Sequence, residues 1–215
     1  HYHANIHKAL KYAVKLDLIS SNPADKIERP KKERFMANFY DADEVNRLFE
    51  ISKGTKLEIP ILFGAFYGMR RSETLGMKWD AIDFERDTIT IRHTLTTVAL
   101  DGKRITVAED RTKNKSSMRT LPLVPFVKER LLELKAEQEE NRRLCGRSYV
   151  KDYTGYVCIN EIGDIIKPNY VSCGFPKLLE EHGLRRVRYH DLRHSCASLL
   201  LANGVPMKQI QEWLG

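Results

Sequence analysis

The sequence predicts a mostly helical α+β domain with one small antiparallel sheet. Three observations point there. Apolar residues recur at helical spacing in several separate segments. Three β-branched, partly alternating runs, "DTITIRHTLTTVAL", "KRITVAE" and "MRTLPL", cluster in the middle of the chain. Hydrophobic residues make up 42% of the 215 residues, enough for a core and too many for a disordered chain.

Taken in order, "NIHKALKYAVKLDLI" places Ile6, Leu10, Ala13 and Leu16 at helical spacing. The following "SSNPADKIERPKKERF" carries two prolines and dense charge, the composition of a linker. A boundary is therefore expected near residue 35, with residues 1–35 separate from a unit over 36–215. In that unit, Asp41 and Glu44 fit a capping box for the helix "ADEVNRLFEIS". "LEIPILFGAFYG" reads as a buried helix ending at Gly68, and "RRSETLGMKW" as another. The β-branched runs follow, with a turn at Asp101-Gly102. "PFVKERLLELKAEQEENRR" is a long charged helix with Val127, Leu131 and Leu134 as its core stripe. "GYVCINEIGDII" suggests a short hairpin. "PNYVSCGFPKLLEEHG" and "HDLRHSCASLLLANG" are helices that each stop at glycine. Pro206, at a first helical position, opens a last helix that carries Ile210, Trp213 and Leu214 on one side.

Lys and Arg outnumber Asp and Glu by 36 to 29, for a net charge of +7 and a pI near 9.2. That excess favours a polyanionic partner, nucleic acid before an anionic membrane surface. No apolar run approaches the ~18 residues of a membrane-spanning helix. Cys145, Cys158, Cys173 and Cys196 form no C-x-x-C pair, so free thiols in a reducing cytoplasm are expected. No repeat or low-complexity tract is present. The chain has no starting Met, as expected of an excised fragment.

Three segments carry residues suited to chemistry. In "RYHDLRHSCASLLLANG", a rotation of ~100° per residue puts His190, Arg193, His194 and Ala197 on one side, opposite Leu192, Cys196 and Leu199. His190 and Arg193 are i, i+3 neighbours near a helix start, where both reach one anion. An arginine fork suits phosphate, and an imidazole donates a hydrogen bond or accepts a proton. The bland alternative is a solvated polar face. Zinc binding by His190 and His194 is disfavoured, because Asp191-Leu192 replaces the Glu of H-E-x-x-H and no third ligand is evident. In "FYGMRRSETLGMKW", Arg70 lies near a helix start and shares a face with Glu73, which alone would pass for an exposed ion pair. In "EDRTKNKSSMRTLPL", Arg111, Lys113, Lys115 and Arg119 crowd a polar turn between strands. Such a tip could enter a DNA groove, or be merely solvated.

Together and in this order, "GMRRSE", "TKNKSSMRTLPL" and "HDLRHSCASLLLANG" resemble the tyrosine recombinase family, prophage and conjugative-transposon integrases in particular. The resemblance covers roughly Asp41 to Gly215. It implies that residues 1–35 are the last helix of a core-binding domain plus its linker, and that residues 36–215 are the integrase catalytic domain. By the same resemblance Arg70 binds the scissile phosphate with Glu73 buttressing it, Arg71 being the weaker match. Lys113 protonates the leaving 5′ oxygen, with Lys115 as the alternative. His190 and Arg193 form the H-x-x-R box, with His194 supporting. Arg111, Lys115 and Arg119 are expected to contact DNA.

"IQEWLG" is similar to the segment just before another family histidine or tryptophan, and no tyrosine here matches the family's nucleophile. The chain is thus expected to be truncated before it. What the resemblance implies is site-specific recombination through a 3′-phosphotyrosine intermediate, for integration or excision of mobile DNA. The alternatives are a type IB topoisomerase, where lysine usually matches His190, and a non-catalytic DNA-binding regulator. Double-stranded DNA is the expected partner, with a homotetramer assembled on it and no membrane. No cofactor and no metal is expected, because converging cationic side chains neutralise the phosphate. The expected setting is the cytoplasm of a bacterium, with the gene bacterial or phage-borne.

Overall fold

The computed structural model describes residues 2–28, 39–100, 103–109 and 118–215, less the side chains at 99, 100, 103 and 104. The chain divides into two compact units, His1–Met36 and Ala37–Gly215.

Among its described residues, the first unit holds one helix and a turn. Helix α1 spans Tyr2–Lys15 and buries none of its residues. Asp17, at φ 55°, turns the chain back. A 3₁₀ turn at Pro23–Lys26 follows, and the Asn22 side chain caps it through Ala24 N–H. His7 Nε2 meets Asp25 Oδ1 at 2.6 Å, tying the turn to the helix.

The second unit holds the core. Helix α2 (Ala42–Ser52) starts with the expected capping box: Asp41 N–H donates to Glu44 and Glu44 N–H to Asp41. Helix α3 (Glu58–Phe66) is buried over eight of its nine residues and stops where Gly68 takes φ +62°. Helix α4 is short, Arg71–Leu75, so Arg70 precedes its first turn. Helix α5 (Pro125–Cys145) buries Val127, Leu131 and Gln138, while Leu134 is only partly covered. Helices α6 (Pro168–Glu181) and α7 (Asp191–Ala202) are followed by Gly183 and Gly204, both at positive φ. Pro206 sits at the N-cap of α8 (Met207–Leu214), one position before the expected one.

Among the described residues the strands form two sheets where one was expected. Strands β1 (Ile82–Asp83), β2 (Thr88–Ile91) and β5 (Arg119–Pro122) pair antiparallel in the order β1-β2-β5. Strands β3 (Thr94–Leu100) and β4 (Lys103–Glu109) make a separate ribbon, with Val98 opposite Ile105. The long run divides at Arg92-His93, where His93 is buried and its Nε2 meets Tyr156 Oη at 3.1 Å. Gly76 faces this corner. A Cβ there would lie 2.7 Å from Thr94 Cα, so only glycine allows the backbones to approach. Asp101-Gly102 lies outside the described residues. "GYVCINEIGDII" contains a bridge, Ile159 to Ile165, around a tight turn at Asn160–Gly163, and no strand.

Candidate DNA-cleavage site

Arg70 and Glu73 are fixed by the start of α4. The Arg70 N–H donates to Glu73 Oε2 at 3.0 Å and Arg70 Nη1 to Oε1 at 2.7 Å. The Glu73 side chain is 2% exposed and that of Arg70 39%. This is no surface ion pair: the carboxylate is interior and the guanidinium opens outward. Arg71 points elsewhere and donates to Ser172 Oγ.

Helix α7 delivers the other arginine. Asp191 is buried at its start and accepts from Arg188 N–H at 2.8 Å and Nη2 at 2.8 Å. Burial pushes the Asp191 carboxyl up, but Arg188 outweighs this and holds it below the usual range. Tyr189 anchors the segment from within, donating to Pro60 O at 2.6 Å beside Thr74 Oγ1. Arg193 then reaches across to the turn after α3 and donates from Nη1 to Gly68 O at 2.8 Å.

The two arginines meet. Arg70 Nη2 and Arg193 Nη2 both donate to the main-chain oxygen of Gly215, at 2.9 and 2.7 Å. Both forks are thus aimed at one acceptor oxygen. Burial first, then Arg70 and Arg119, lower the Arg193 pKa to about 10, so it stays charged at neutral pH. His190 lies one turn from Arg193 and is exposed, its ring edge-on to that of His194 at 5.7 Å. Partial desolvation, then His194 and Arg193, lower its pKa, so the neutral imidazole is favoured at pH 7.

Arg119 corrects the expectation of a DNA-facing side chain. It is 8% exposed and lies opposite the fully buried Ile91. Its Nη2 donates to Glu73 Oε2 at 3.0 Å and its Nε to Trp213 O at 2.7 Å. The signal for this was in the sequence: period-2 alternation in "RTLP" puts Arg119 on the face of Leu121, which is the core face. Burial pushes the Glu73 carboxyl up. Arg119 and Arg70 outweigh this, so it stays ionised below the usual carboxylate range. Two guanidinium groups, those of Arg70 and Arg119, thus share one carboxylate, and with Arg193 beside them the positive charge is in surplus, which suits an anion. Arg111, Lys113 and Lys115 lie outside the described residues. No group of three or more His, Cys, Asp or Glu could hold a metal ion among the described residues. Nor is any described helix long and apolar enough to cross a membrane.

Residues 38–215 match the phage integrase family. The chain belongs to that family. This integrase-family chain is 30% identical over 203 residues to a tyrosine recombinase XerC-like protein of Caldanaerobacter subterraneus subsp. tengcongensis, covering 92% of the chain and 50% of that protein. It is also 30% identical over 198 residues to tyrosine recombinase XerA of Thermococcus onnurineus, covering 89% and 58%. The chain therefore spans about half the length of the curated relatives it matches. Among solved structures, the Tn1549 transposon integrase in complex with transposon right end DNA superposes with a TM-score of 0.79 at 17% identity. That match covers 99% of this chain and 69% of that one. A lambda integrase (75–356) dimer bound to a COC′ core site gives 0.65 at 17%, covering 99% and 69%. These two share the fold.

Proposed function

We propose that this chain is the catalytic part of a tyrosine-type site-specific DNA recombinase, which cuts and rejoins duplex DNA through a 3′-phosphotyrosine. The observation that carries this is the single oxygen accepting from both Arg70 and Arg193. A scissile phosphate in that position would place its non-bridging oxygens on the same two forks. Attack on phosphorus increases the charge on those oxygens, and prepositioned guanidinium groups stabilise that charge most in the transition state. Lys113, or Lys115 beside it, would protonate the leaving 5′ oxygen. Neutral His190, supported by His194, would hydrogen-bond the phosphate. Rejoining runs the same steps in reverse: the 5′ hydroxyl attacks, loses its proton to the lysine, and releases the tyrosine.

The proposal takes the nucleophile from a tyrosine outside these residues. Tyr67 and Tyr189, beside the two arginine boxes, are buried with their hydroxyls donated to Pro122 O and Pro60 O. Residues 1–35 are proposed as the last helix of a core-binding domain with its linker, and the whole enzyme as a tetramer on DNA in a bacterial cytoplasm. Its reaction would integrate or excise mobile DNA. The relatives named as recombinases, and the integrase structures that contain DNA, support this reading.

The test is trapping on a nicked suicide duplex that carries the recombination site, using the complete enzyme. A covalent adduct is expected, and Arg193→Ala should lower its rate by about 10²–10³-fold or more while DNA affinity stays nearly constant. No adduct from the unsubstituted enzyme would favour a non-catalytic DNA binder.

A further inference from the structure

Residue 119 has a second part to play beyond filling the interior. We propose that Arg119 is a positioning residue that ties the end of α8 to the Arg70–Arg193 pair; the inference rests on the recombinase reading above. Its side chain is 5% exposed. One edge of the guanidinium is committed to Glu73 Oε2, whose partner oxygen Oε1 receives Arg70 Nη1 at 2.7 Å. Its Nε is committed to the carbonyl of Trp213, in the last turn of α8, at 2.7 Å. Gly215 packs on the same group: a Cβ there would lie 2.9 Å from Arg119 Nη1 and 3.1 Å from Cδ.

Other contacts also seat the end of α8, among them the bonds from Arg70 and Arg193 to Gly215 O. The Trp213 ring stacks on Tyr67 at 6.0 Å and 12°. Leu214 fills the space where Gly68 has no side chain. Neither the Trp213 ring nor Leu214 reaches the acid that orients Arg70. Arg119 does both, and its planar fork is what permits two bonds in divergent directions. If α8 leaves, the Nε of Arg119 loses its acceptor in a nearly dry site, where an unpaired charged donor is costly. Arg119 then shifts, and Glu73 and Arg70 shift with it. The seating of α8 and the aim of Arg70 are one coupled event. A recombinase built this way would have full phosphate-binding geometry only while the segment after α7 is docked.

Arg119→Lys separates this role from plain stability. Its single ammonium can meet Glu73 or the Trp213 carbonyl, but not both in the fork geometry. Two readouts are needed. Single-turnover cleavage of the nicked suicide duplex at saturating DNA should slow by about 10²-fold, as expected for a small misplacement at a reacting centre, with DNA affinity unchanged. Amide hydrogen exchange in the 215-residue chain should speed up about tenfold across α8, while α3 stays protected. Arg119→Met should show the same pattern more strongly if it folds. Wild-type cleavage by Arg119→Lys overturns the proposal, even if Arg119→Met unfolds. So does slow cleavage with unchanged exchange in α8. Failure of the recombinase reading would look different: no adduct from the unsubstituted enzyme, or normal cleavage by Arg193→Ala.

Discussion

Arg193 donates to the carbonyl of Gly68 at 2.8 Å, and so the third sequence box is bonded directly to the first. That carbonyl is available because Gly68 turns the chain at φ +62° between α3 and Arg70. Gly68 therefore sets the position of both arginines, one through the chain and one through a hydrogen bond.

Gly68→Ala is expected to destabilise the fold by about 1–2 kcal/mol, the usual cost of the left-handed region for a residue with a Cβ. The new methyl would also lie 2.3 Å from Leu214 Cδ2, a flexible tip that must move aside. A lower melting temperature with intact secondary structure is the expected result. An unchanged melting curve would count against Gly68 as the constrained turn.

Glu73→Gln removes the carboxylate between two arginines, one with a 5% exposed side chain. Breaking a buried pair costs about 3–5 kcal/mol at neutral pH, and the amide keeps one acceptor, so the lower end is expected. The pH dependence has a definite sign. The folded-state pKa of Glu73 is depressed below its ordinary 4.5, so its stabilisation is present above that value and lost as pH falls through the folded value. The stability gap between native and Gln proteins should therefore narrow below pH 4.5. A gap constant from neutral to acid pH would contradict the assignment.

Lys113→Ala should slow cleavage by the complete enzyme strongly on an ordinary phosphodiester. On a 5′-bridging phosphorothiolate the loss should be largely rescued, because the sulfur leaves without a proton. His190→Ala should be milder than Arg193→Ala. Rescue of Lys115→Ala in place of Lys113→Ala would move the general acid by two residues.

Gln138→Leu tests the packing behind the site. Gln138 is 9% exposed, accepts from Trp79 Nε1 at 3.0 Å and donates to Val157 O at 2.8 Å. Leucine leaves the Trp79 Nε1–H unpaired and Val157 O with only the Ile159 N–H, at an expected cost of about 1–3 kcal/mol. The urea midpoint should fall with the slope unchanged. A shift within the range of a surface substitution would show that water replaces both bonds.

Some of this molecule was legible from residues near one another in sequence. Asp41 and Glu44 predicted the start of α2, and Gly68, Gly183 and Gly204 the helix ends. Arg70 with Glu73, and His190 with Arg193, were paired by helical spacing alone. These features depend on backbone geometry within one turn, which a short window of sequence encodes. Other features required the packed chain. The run from Asp87 to Leu100 divides between two sheets because Gly76 admits the backbone at Thr94. Arg119 looks like part of a basic loop beside Lys113 and Lys115, yet it pairs with Glu73 inside the protein. Strand alternation named its face, but only the placement of β5 against β2 and α8 decided that the face was interior. Arg70, Arg119 and Arg193 converge from a helix start, a strand and a second helix. No local pattern links such positions, because their meeting is set by which surfaces bury one another.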